Sequence, residues 1–571
     1  QLNHTERQIV ADGSAPRLKP EVRGWLRHLW RKAMTPDDWS RNGAPHPWWD
    51  DKSVAPMLSF ARFDLSESSY GLLLLARKTP AWREVYTKIL DELIRRHTTF
   101  WAAVDWLTKL GPDPDRARYP KAYRGLIPKD LWGNYDVPGW TANGIEPWGL
   151  QPDPIGSTGN LFFRGFFTLM LAIHRAVSGE ATWDKPFEVT GLDDRTFAWT
   201  HRGIAEYLGN QWAGVPHGPH CENTKIWPFC LSAAGLGLQL TDLTLGTRTH
   251  WVYDRWVEEA FKKKFMGFDE RGRLKWVAFY YDPLVDRVLG DRRIFGLFPS
   301  IYVVPQNREL GELLYRNAVA SVGWDKRWMP VLYNGRDPRA LTMGFLMARE
   351  YGDHTTARRL GRKLASMENA RFFDADGGQD ADEYGYFFQY GERYPRGQES
   401  ALYMLKNLLD GEGEWGRAFG EQDTEKFSAP TVSDAEYPKL GFSVAWNDSA
   451  RGVLQLESFA ATSSARGDAT RFRVRNLPDA HSVQVRRDDQ IHQSWRATDS
   501  NSIEIETVVG DHRYEIVTGY RGAQPTRPGK TESNKTNSTS TTIARPRTSM
   551  TDIVTAASTV AAACPCCASA D

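Results

Sequence analysis

The chain has 571 residues, which is long for one compact core and suits two domains with terminal extensions. Its 72 Lys and Arg residues balance 71 Asp and Glu residues, leaving a formal net charge of +1. This balance gives no electrostatic reason to expect nucleic acid or an anionic membrane as a partner. No apolar run approaches the roughly 18–20 residues of a bilayer span. We therefore expect neither partner.

Residues 1–20 are polar and interrupted by proline, which predicts a loose N-terminal arm. From about Val22 to about Leu409, apolar residues recur every three or four positions, the period of an α-helix. These segments alternate with loops rich in Gly, Pro, Asp and Trp. Roughly ten to twelve helices in one unit predict a mainly α fold. We interpret residues 21–436 as an (α/α)6-type helical barrel whose long loops form the functional face.

The pattern changes near Pro438, and up to about Tyr520 apolar and polar residues alternate with a period of two. Turn residues separate these short runs, which predicts a small antiparallel, β-sandwich-like domain over residues 437–522. Residues 523–571 are dominated by Thr, Ser, Ala, Lys and Pro and predict a disordered tail.

The segment HGPHCENTKIWPFCLSAAGLGLQL carries the most specific chemistry. Cys221 and Cys230 stand nine residues apart, and Glu222 directly follows the first cysteine. Small and apolar residues follow Cys230, which predicts a buried helix. A loop that holds a thiol and a carboxyl before such a helix places both at the mouth of an apolar cavity. That combination suits proton transfer on an apolar substrate.

Other interpretations of this segment stay open. Cys221 and Cys230 could be two structural cysteines in the core, or they could form a disulfide. Five cysteines are too few for a disulfide scaffold, so we favour thiols in a reducing cytoplasm. A zinc site would draw on the side chains His217, His220, Cys221, Glu222 and Cys230. Their spacing does not fit the usual zinc patterns, and we predict no metal.

A second cluster of acidic residues lies in DADGGQDADEY, from Asp374 to Glu383. It lacks the spacing of a 12-residue calcium loop with a terminal glutamate. We predict a solvated acidic loop.

Several motifs occur in one order along the chain: AMTPDDW, NLFFRGFFTLMLAIHRAVSG, CENTKIWPFC, VYDRW, GFDERGRLKWVAFYYDP and FLMAREYGD. Together they resemble the linalool dehydratase/isomerase family from about residue 33 to about residue 353. The resemblance implies an (α/α)6-barrel enzyme with two cysteines, a glutamate, a histidine, an aspartate and tyrosines in its cavity. It also implies that these groups add and remove protons at an allylic alcohol, with no metal or organic cofactor.

The resemblance assigns catalytic roles to Cys221, Glu222 and Cys230. The family's aspartate corresponds to Asp50, with Asp51 as the alternative register. Elsewhere this chain departs from the family pattern, because Phe166 stands in the place of the histidine and Phe298 in the place of a tyrosine. Two protic groups have thus become phenyl rings, which puts the dehydration chemistry in doubt and adds cyclisation as a possible reaction.

We predict a cofactor-free isomerase, lyase or cyclase acting on an apolar, terpenoid- or polyketide-like small molecule in secondary metabolism. The predicted substrate-binding residues are Phe166, Phe298, His220, Tyr281 and Trp227. The alternatives are a carbohydrate-active hydrolase or lyase on the same kind of barrel, and a non-catalytic binding protein. The chain could also form a homo-oligomer.

Overall fold

The structure is a computed structural model that describes most of the helical region and the β-strands after it. The described residues are 15–40, 61–100, 152–191, 194–221, 225–283, 286–290, 292–333, 338–374, 382–387, 393–395 and 397–522, with single positions at 42–43, 45–46, 48–49, 102, 145–146, 149–150 and 378. The predicted tail 523–571 and most of the predicted N-terminal arm lie outside these residues.

The described helices have the following bounds: α1 (Pro20–Met34), α2 (Ala61–Lys78), α3 (Arg83–His97), α4 (Leu161–Ser178), α5 (His201–Gly214), α6 (Pro228–Leu245), α7 (Trp251–Trp256), α8 (Lys262–Lys264), α9 (Leu297–Val303), α10 (Arg308–Ser321), α11 (Arg339–Glu350), α12 (His354–Met367), α13 (Gly397–Leu408) and α14 (Glu414–Gly420). A π-helical turn, Val257–Phe261, joins α7 to α8. The fold is therefore mainly α, as the helical period predicted.

Six of these helices contact one another in a cyclic order, which is α2, α4, α6, α9, α11, α13 and back to α2. We call them the inner helices. Their first turns meet at one end: Phe63 of α2 packs against Phe162 of α4, and Arg339 of α11 donates a hydrogen bond to Glu399 of α13. The other long helices pack against this set, with α3 on α2 and α4, α5 on α4 and α6, α10 on α9, and α12 on α11.

Helices α4 and α6 approach each other closely because small residues lie between them. A side chain at Gly165 would meet Ala234 at 2.8 Å, and one at Gly237 would meet the backbone nitrogen of Leu169 at 2.8 Å. Helix α4 is long and apolar enough to cross a membrane by length and composition, but 94% of that stretch is buried inside the protein. Helix α4 is therefore a helix of the protein core.

Helix α14 lies against α2, α6 and α11 at the opposite end from the first turns of the inner helices. Trp415 donates its indole N–H to the carbonyl oxygen of Ile301 at 2.7 Å. The backbone nitrogens of Trp415 and Gly416 donate to the buried carboxylate of Glu350 at 3.0 and 3.3 Å. These hydrogen bonds attach α14 to the C-terminal ends of α9 and α11.

Short antiparallel hairpins connect several helices. They are β1 (Ile145–Glu146) with β2 (Gly149–Leu150), β3 (Phe187–Thr190) with β4 (Thr196–Trp199), β5 (Met266–Phe268) with β6 (Leu274–Val277), β7 (Tyr280–Asp282) with β8 (Arg287–Leu289), and β9 (Ala370–Phe373) with β10 (Glu383–Tyr386).

The hairpin β9–β10 corrects one sequence-based prediction. Glu383 is not part of a solvated acidic loop, because it is only 3% exposed and lies in β10 against α1. Its carboxylate binds Arg31 at 2.6 Å and His28 at 3.1 Å. The side chains of α1 compensate the buried carboxylate. The acidic residues next to Glu383 in the sequence gave no indication of this burial.

The remaining strands form two antiparallel sheets: β11 (Thr431–Ser433), β12 (Leu440–Asp448), β13 (Val453–Ala460), β14 (Ala469–Arg475), β15 (Gln484–Arg487), β16 (Gln490–Ile491), β17 (Trp495–Asp499), β18 (Ser502–Val508) and β19 (Arg513–Val517). The four-stranded sheet has the order β11-β14-β18-β17, and the five-stranded sheet has the order β12-β13-β19-β15-β16.

The two sheets face each other through aromatic side chains. Phe472 of the four-stranded sheet lies 5.1 Å from Phe442 and 5.4 Å from Tyr514 of the five-stranded sheet. The period-two pattern therefore predicted the strands correctly. Trp82, which precedes α3, packs against Tyr437 and Phe442 and so joins the sheets to the helices. Strand β11 lies before residue 437, so the exact division into domains stays a prediction.

The contact between α4 and α6 can be tested with two glycine variants. Gly237→Ala should lower the free energy of unfolding by about 1–3 kcal/mol, because the new methyl group meets backbone atoms of α4 that cannot rotate away. Gly214→Ala, at the end of α5, has nothing within 4 Å and should change stability by less than about 1 kcal/mol. Urea denaturation of both variants measures the difference, and equal stabilities would contradict the proposed close contact.

Candidate functional site

An aromatic cluster joins four of the inner helices inside their ring. It consists of Phe63 of α2, Phe162 and Phe166 of α4, Phe229 of α6 and Tyr302 of α9. The ring centre of Phe166 lies 5.4 Å from Phe63, 5.6 Å from Phe229 and 5.8 Å from Tyr302. Because each of these rings comes from a different helix, Phe166 is a central member of the cluster.

A pair of buried hydroxyl groups adjoins the aromatic cluster. The hydroxyl oxygens of Tyr70 and Tyr302 lie 3.1 Å apart, and both residues are 1% exposed. The ring of Tyr70 packs edge-on against Trp415 of α14. The cluster is therefore mostly apolar, with phenolic groups on its side toward α14.

The two cysteines are buried beside this cluster. Cys230 directly follows Phe229 in the first turn of α6 and is 0% exposed, and Cys221 is 1% exposed. Both are free cysteines and do not form a disulfide with each other. Neither side chain faces solvent, as a shared cavity requires.

A short loop holds Cys221 against the inner helices. The backbone nitrogen of Cys221 donates to the carbonyl oxygen of Lys225 at 2.8 Å. The carbonyl oxygen of His220 accepts a hydrogen bond from the backbone nitrogen of Leu161, at the start of α4. We call residues 220–227 the thiol loop. Two predicted catalytic residues, Glu222 of this loop and Asp50, lie outside the described residues.

His220 is half-buried with its Nε2 atom out of contact with solvent, and this desolvation lowers the pKa of the imidazole to about 3. The positive charges of Arg164 and Lys225 lower the pKa further. Desolvation and nearby cations both penalise the imidazolium, so His220 is neutral at neutral and mildly acidic pH. Such an imidazole can orient a hydroxyl group but carries no positive charge to a substrate.

Arg164, which stands beside the position of the family's histidine, has a local structural role. It is 0% exposed and donates to the backbone carbonyl oxygens of Ser157 and Gly159 and to the side chain of Gln211. These hydrogen bonds fix the turn that precedes α4 and therefore help to set the direction in which Phe166 points.

The thiol loop ends in a strand-like pairing with the β7–β8 hairpin. Ile226 and Tyr281 exchange two backbone hydrogen bonds, of 2.8 and 2.9 Å. Trp227 is fully buried, and its ring packs against Phe279 at 5.2 Å and Tyr280 at 4.8 Å. Trp227 thus anchors the loop at the start of α6.

Tyr281 belongs to a polar cluster next to the loop. Its hydroxyl donates to Asp286 at 2.9 Å, the ammonium group of Lys264 lies 4.6 Å from its ring centre, and His217 packs against it at 5.1 Å. The hydrogen bond from Lys264 lowers the pKa of the Asp286 carboxyl. This arrangement directs the Tyr281 hydroxyl toward Asp286.

Phe298 lies in the first turn of α9 and is 1% exposed. It precedes Tyr302 by four residues, so the two side chains share one face of the helix. Phe166 and Phe298, the two rings that replace protic groups of the family pattern, thus belong to neighbouring parts of the same buried region.

Sequence reasoning missed four members of the aromatic cluster: Phe63, Phe162, Phe229 and Tyr302. Phe229 stands next to Cys230 in the predicted helix, and that adjacency was a signal that we did not use. Phe63 and Tyr302 come from segments far apart in sequence, and only the packing of α2 and α9 on α4 brings them together. Among the described residues, no group of three or more His, Cys, Asp or Glu side chains is arranged to hold a metal ion.

Comparison with known proteins supports the resemblance. Residues 129–378, a segment of the chain, match the family model of linalool dehydratase/isomerase. This segment contains the thiol loop and helices α4 to α12. No curated protein matches the chain.

Two solved structures are similar over most of the chain. One is the endoglucanase CelQ from Clostridium thermocellum complexed with cellotriose, with 13% identity, a TM-score of 0.30 and coverage of 87% of this chain and 92% of that one. The other is Ara127N-Se, a GH127 beta-L-arabinofuranosidase from Geobacillus Stearothermophilus T6, with 12% identity, a TM-score of 0.26 and coverage of 86% and 75%. At such TM-scores, neither likeness defines the fold or the function.

The lowered pKa of His220 predicts a loss of stability in acid. Between pH about 6.5 and about 3 the unfolded chain binds a proton at this residue and the folded chain does not, so stability falls as the pH falls. His220→Gln should reduce the loss between pH 7.5 and pH 4.5 by about 2–3 kcal/mol. Urea denaturation of the unaltered chain and the variant at the two pH values measures this loss of stability.

The matched control is His481→Gln, because His481 is exposed in the β-region. This variant should lose as much stability in acid as the unaltered protein. An identical acid loss in His220→Gln would show that His220 takes up a proton in the folded state.

Proposed function

We propose that the chain is a lyase or isomerase, an (α/α)6 barrel that acts on an apolar, terpenoid-like alcohol without an organic cofactor. The family match over residues 129–378 supports an enzyme of this kind. The cyclic contacts of the six inner helices support the barrel. Nothing in the described part of the chain favours the carbohydrate-active or the non-catalytic alternative over this proposal.

One observation carries the proposal: buried thiols and a buried aromatic cluster meet at the first turns of α4 and α6. Cys230 follows Phe229, whose ring lies 5.6 Å from Phe166. Apolar walls exclude water, and aromatic faces stabilise positive charge that develops near them. Thiol groups next to such walls can exchange protons with an apolar substrate.

The proposed reaction begins with cleavage of the carbon–oxygen bond of an allylic alcohol. The hydroxyl leaves as water after protonation and takes both bonding electrons, so an allylic cation remains. The cation loses a proton to give a diene in dehydration, or adds water at its other end and then loses a proton in isomerisation. In cyclisation, a second double bond of the substrate attacks the cation, and the cyclic cation that forms then loses a proton. Phe166, in the place of the family's histidine, stabilises the cation and does not transfer protons.

Linalool is the probe for this proposal. The purified chain, treated with a chelator, should convert linalool to a dehydrated, isomerised or cyclised product. Cys221→Ala and Cys230→Ala should each lower kcat by at least about 10²-fold if the thiols transfer protons, while Phe166→Ala should lower it if the cavity mainly shapes its substrate. Gas chromatography of the products measures kcat for the unaltered chain and the three variants.

Ser232→Ala is the matched control, because Ser232 is equally buried in α6 two residues after Cys230. Its carbonyl oxygen accepts a hydrogen bond from the Gln306 side chain, which follows α9 in the chain. This variant should retain the unaltered kcat. Absence of both binding and turnover of terpenoid alcohols by the unaltered chain would overturn the proposal.

A further inference from the structure

The inside of the helix ring contains a buried carboxyl group that the family resemblance does not assign. We propose that Glu67 of α2 is a catalytic acid that protonates the leaving hydroxyl group of the substrate. This inference rests on the proposed function and deepens it. Glu67 is 1% exposed and lies in the segment FDLSESSYG, outside the part of the chain that matches the family.

The direction of the Glu67 side chain follows from helix geometry. Successive residues of an α-helix are turned by about 100°, so Glu67 lies about 40° from Phe63 and about 60° from Tyr70 around α2. Phe63 contacts the rings of α4, and Tyr70 contacts the hydroxyl of Tyr302 in α9. Glu67 therefore shares the face of α2 that carries two residues at the aromatic cluster.

The edges of this face are also defined. On one side, Ser66 approaches His97 of α3, with 3.5 Å between the hydroxyl oxygen and the imidazole nitrogen. On the other side, Asp64 binds Lys32 of α1 at 2.5 Å. Because α1 and α3 pack outside the inner helices, the arc between Ser66 and Asp64 that contains Glu67 points into the ring.

Two other buried carboxylates lie near the first turns of the inner helices. Asp64 forms an ion pair with Lys32. Glu399 forms an ion pair with Arg339 at 2.8 Å, and the side chains of Arg339 and Glu399 are each 1% exposed. Each of these pairs joins two helices. Glu67 differs in its position, since it stands one helical turn from both Phe63 and Tyr70.

The position of Glu67 completes the proposed chemistry. The family's histidine is replaced by Phe166, so the wall formed by α4 lacks a group that transfers protons at this point. Glu67, on the adjacent helix α2, gives its carboxyl proton to the hydroxyl oxygen of the alcohol. The carbon–oxygen bond then breaks with both electrons on oxygen, water leaves, and Glu67 becomes a carboxylate.

A second proton transfer completes the reaction. A carbon next to the cation loses a proton to a thiolate of the Cys221–Cys230 pair, and the electrons of that carbon–hydrogen bond form the new double bond. The sum is one alcohol converted to one alkene and one water. Proton exchange with water returns both groups to their starting states, and no oxidant or reductant takes part.

The test compares Glu67→Gln with the unaltered chain, using linalool as the substrate. Glutamine keeps the size and shape of the side chain but cannot donate an acidic proton. We expect kcat to fall by at least about 10²-fold while KM changes by less than about threefold. Glu67→Asp keeps the carboxyl and should recover part of the lost rate.

A matched control removes a polar group from the opposite part of the same helix. Ser69 is as deeply buried as Glu67, and its hydroxyl donates to the carbonyl oxygen of Ser66. Ser69→Ala should keep the unaltered kcat. Melting temperatures of all variants show whether a lower rate comes from unfolding.

Infrared spectroscopy keeps the proposal testable if Glu67→Gln fails to fold. Addition of 3,7-dimethyl-3-octanol, a saturated alcohol that cannot form an allylic cation, should shift the band of a protonated carboxyl group in the unaltered chain. Binding of this alcohol without such a shift would overturn the role of Glu67.

The outcomes separate the two proposals. Full activity in Glu67→Gln, with an active unaltered chain, would overturn the role of Glu67 and leave the proposed function standing. An unaltered chain that neither binds nor converts terpenoid alcohols would overturn both.

Discussion

The close contact of α4 with α6 is the constraint on which the site depends. Gly165 faces Ala234, and Gly237 faces the backbone of Leu169, so no large side chain separates the two helices. Small residues at such a crossing let the helix backbones approach, and rings on either side then come into contact. The contact between Phe166 and Phe229 depends on this crossing. The thiol loop depends on it too, since one end is bound to the start of α4 and the other leads into α6.

The arrangement of buried charge separates the two ends of the inner helices. Removing a carboxylate or an ammonium group from water costs several kcal/mol per ion, and an ion pair recovers this only with good geometry. The pairs Lys32–Asp64 and Arg339–Glu399 lie near the first turns of the inner helices. At the other end, Trp415 and its neighbours form an aromatic layer around hydrogen bonds to Glu350. The two cysteines and the fully buried ion pairs Lys32–Asp64 and Arg339–Glu399 therefore lie near the end formed by the first turns.

Much of the architecture could be predicted from the sequence, because periodic burial leaves a periodic pattern. The helical period predicted the helices, and the period of two predicted the strands after residue 438. The family resemblance assigned catalytic roles to Cys221 and Cys230, and these roles stay predictions, because burial fits a pair of structural cysteines equally well. Contacts between distant segments left no such pattern. Glu67 sits among serines in FDLSESSYG and gives no local sign that its side chain points into the ring, which only the packing of α1, α3 and α13 around α2 reveals.

The replacement of a histidine by Phe166 has a consequence for the proposed reaction. A phenyl ring cannot shuttle a proton or hold a water molecule by a strong hydrogen bond, but its face lowers the energy of a nearby cation. Isomerisation requires water to return to the cation, whereas dehydration and cyclisation require that it does not. The rings of Phe63, Phe166 and Phe229 supply such dry, electron-rich walls, and Phe298 extends them along α9. Under the proposed function, this chain therefore favours products in which the hydroxyl oxygen is lost for good.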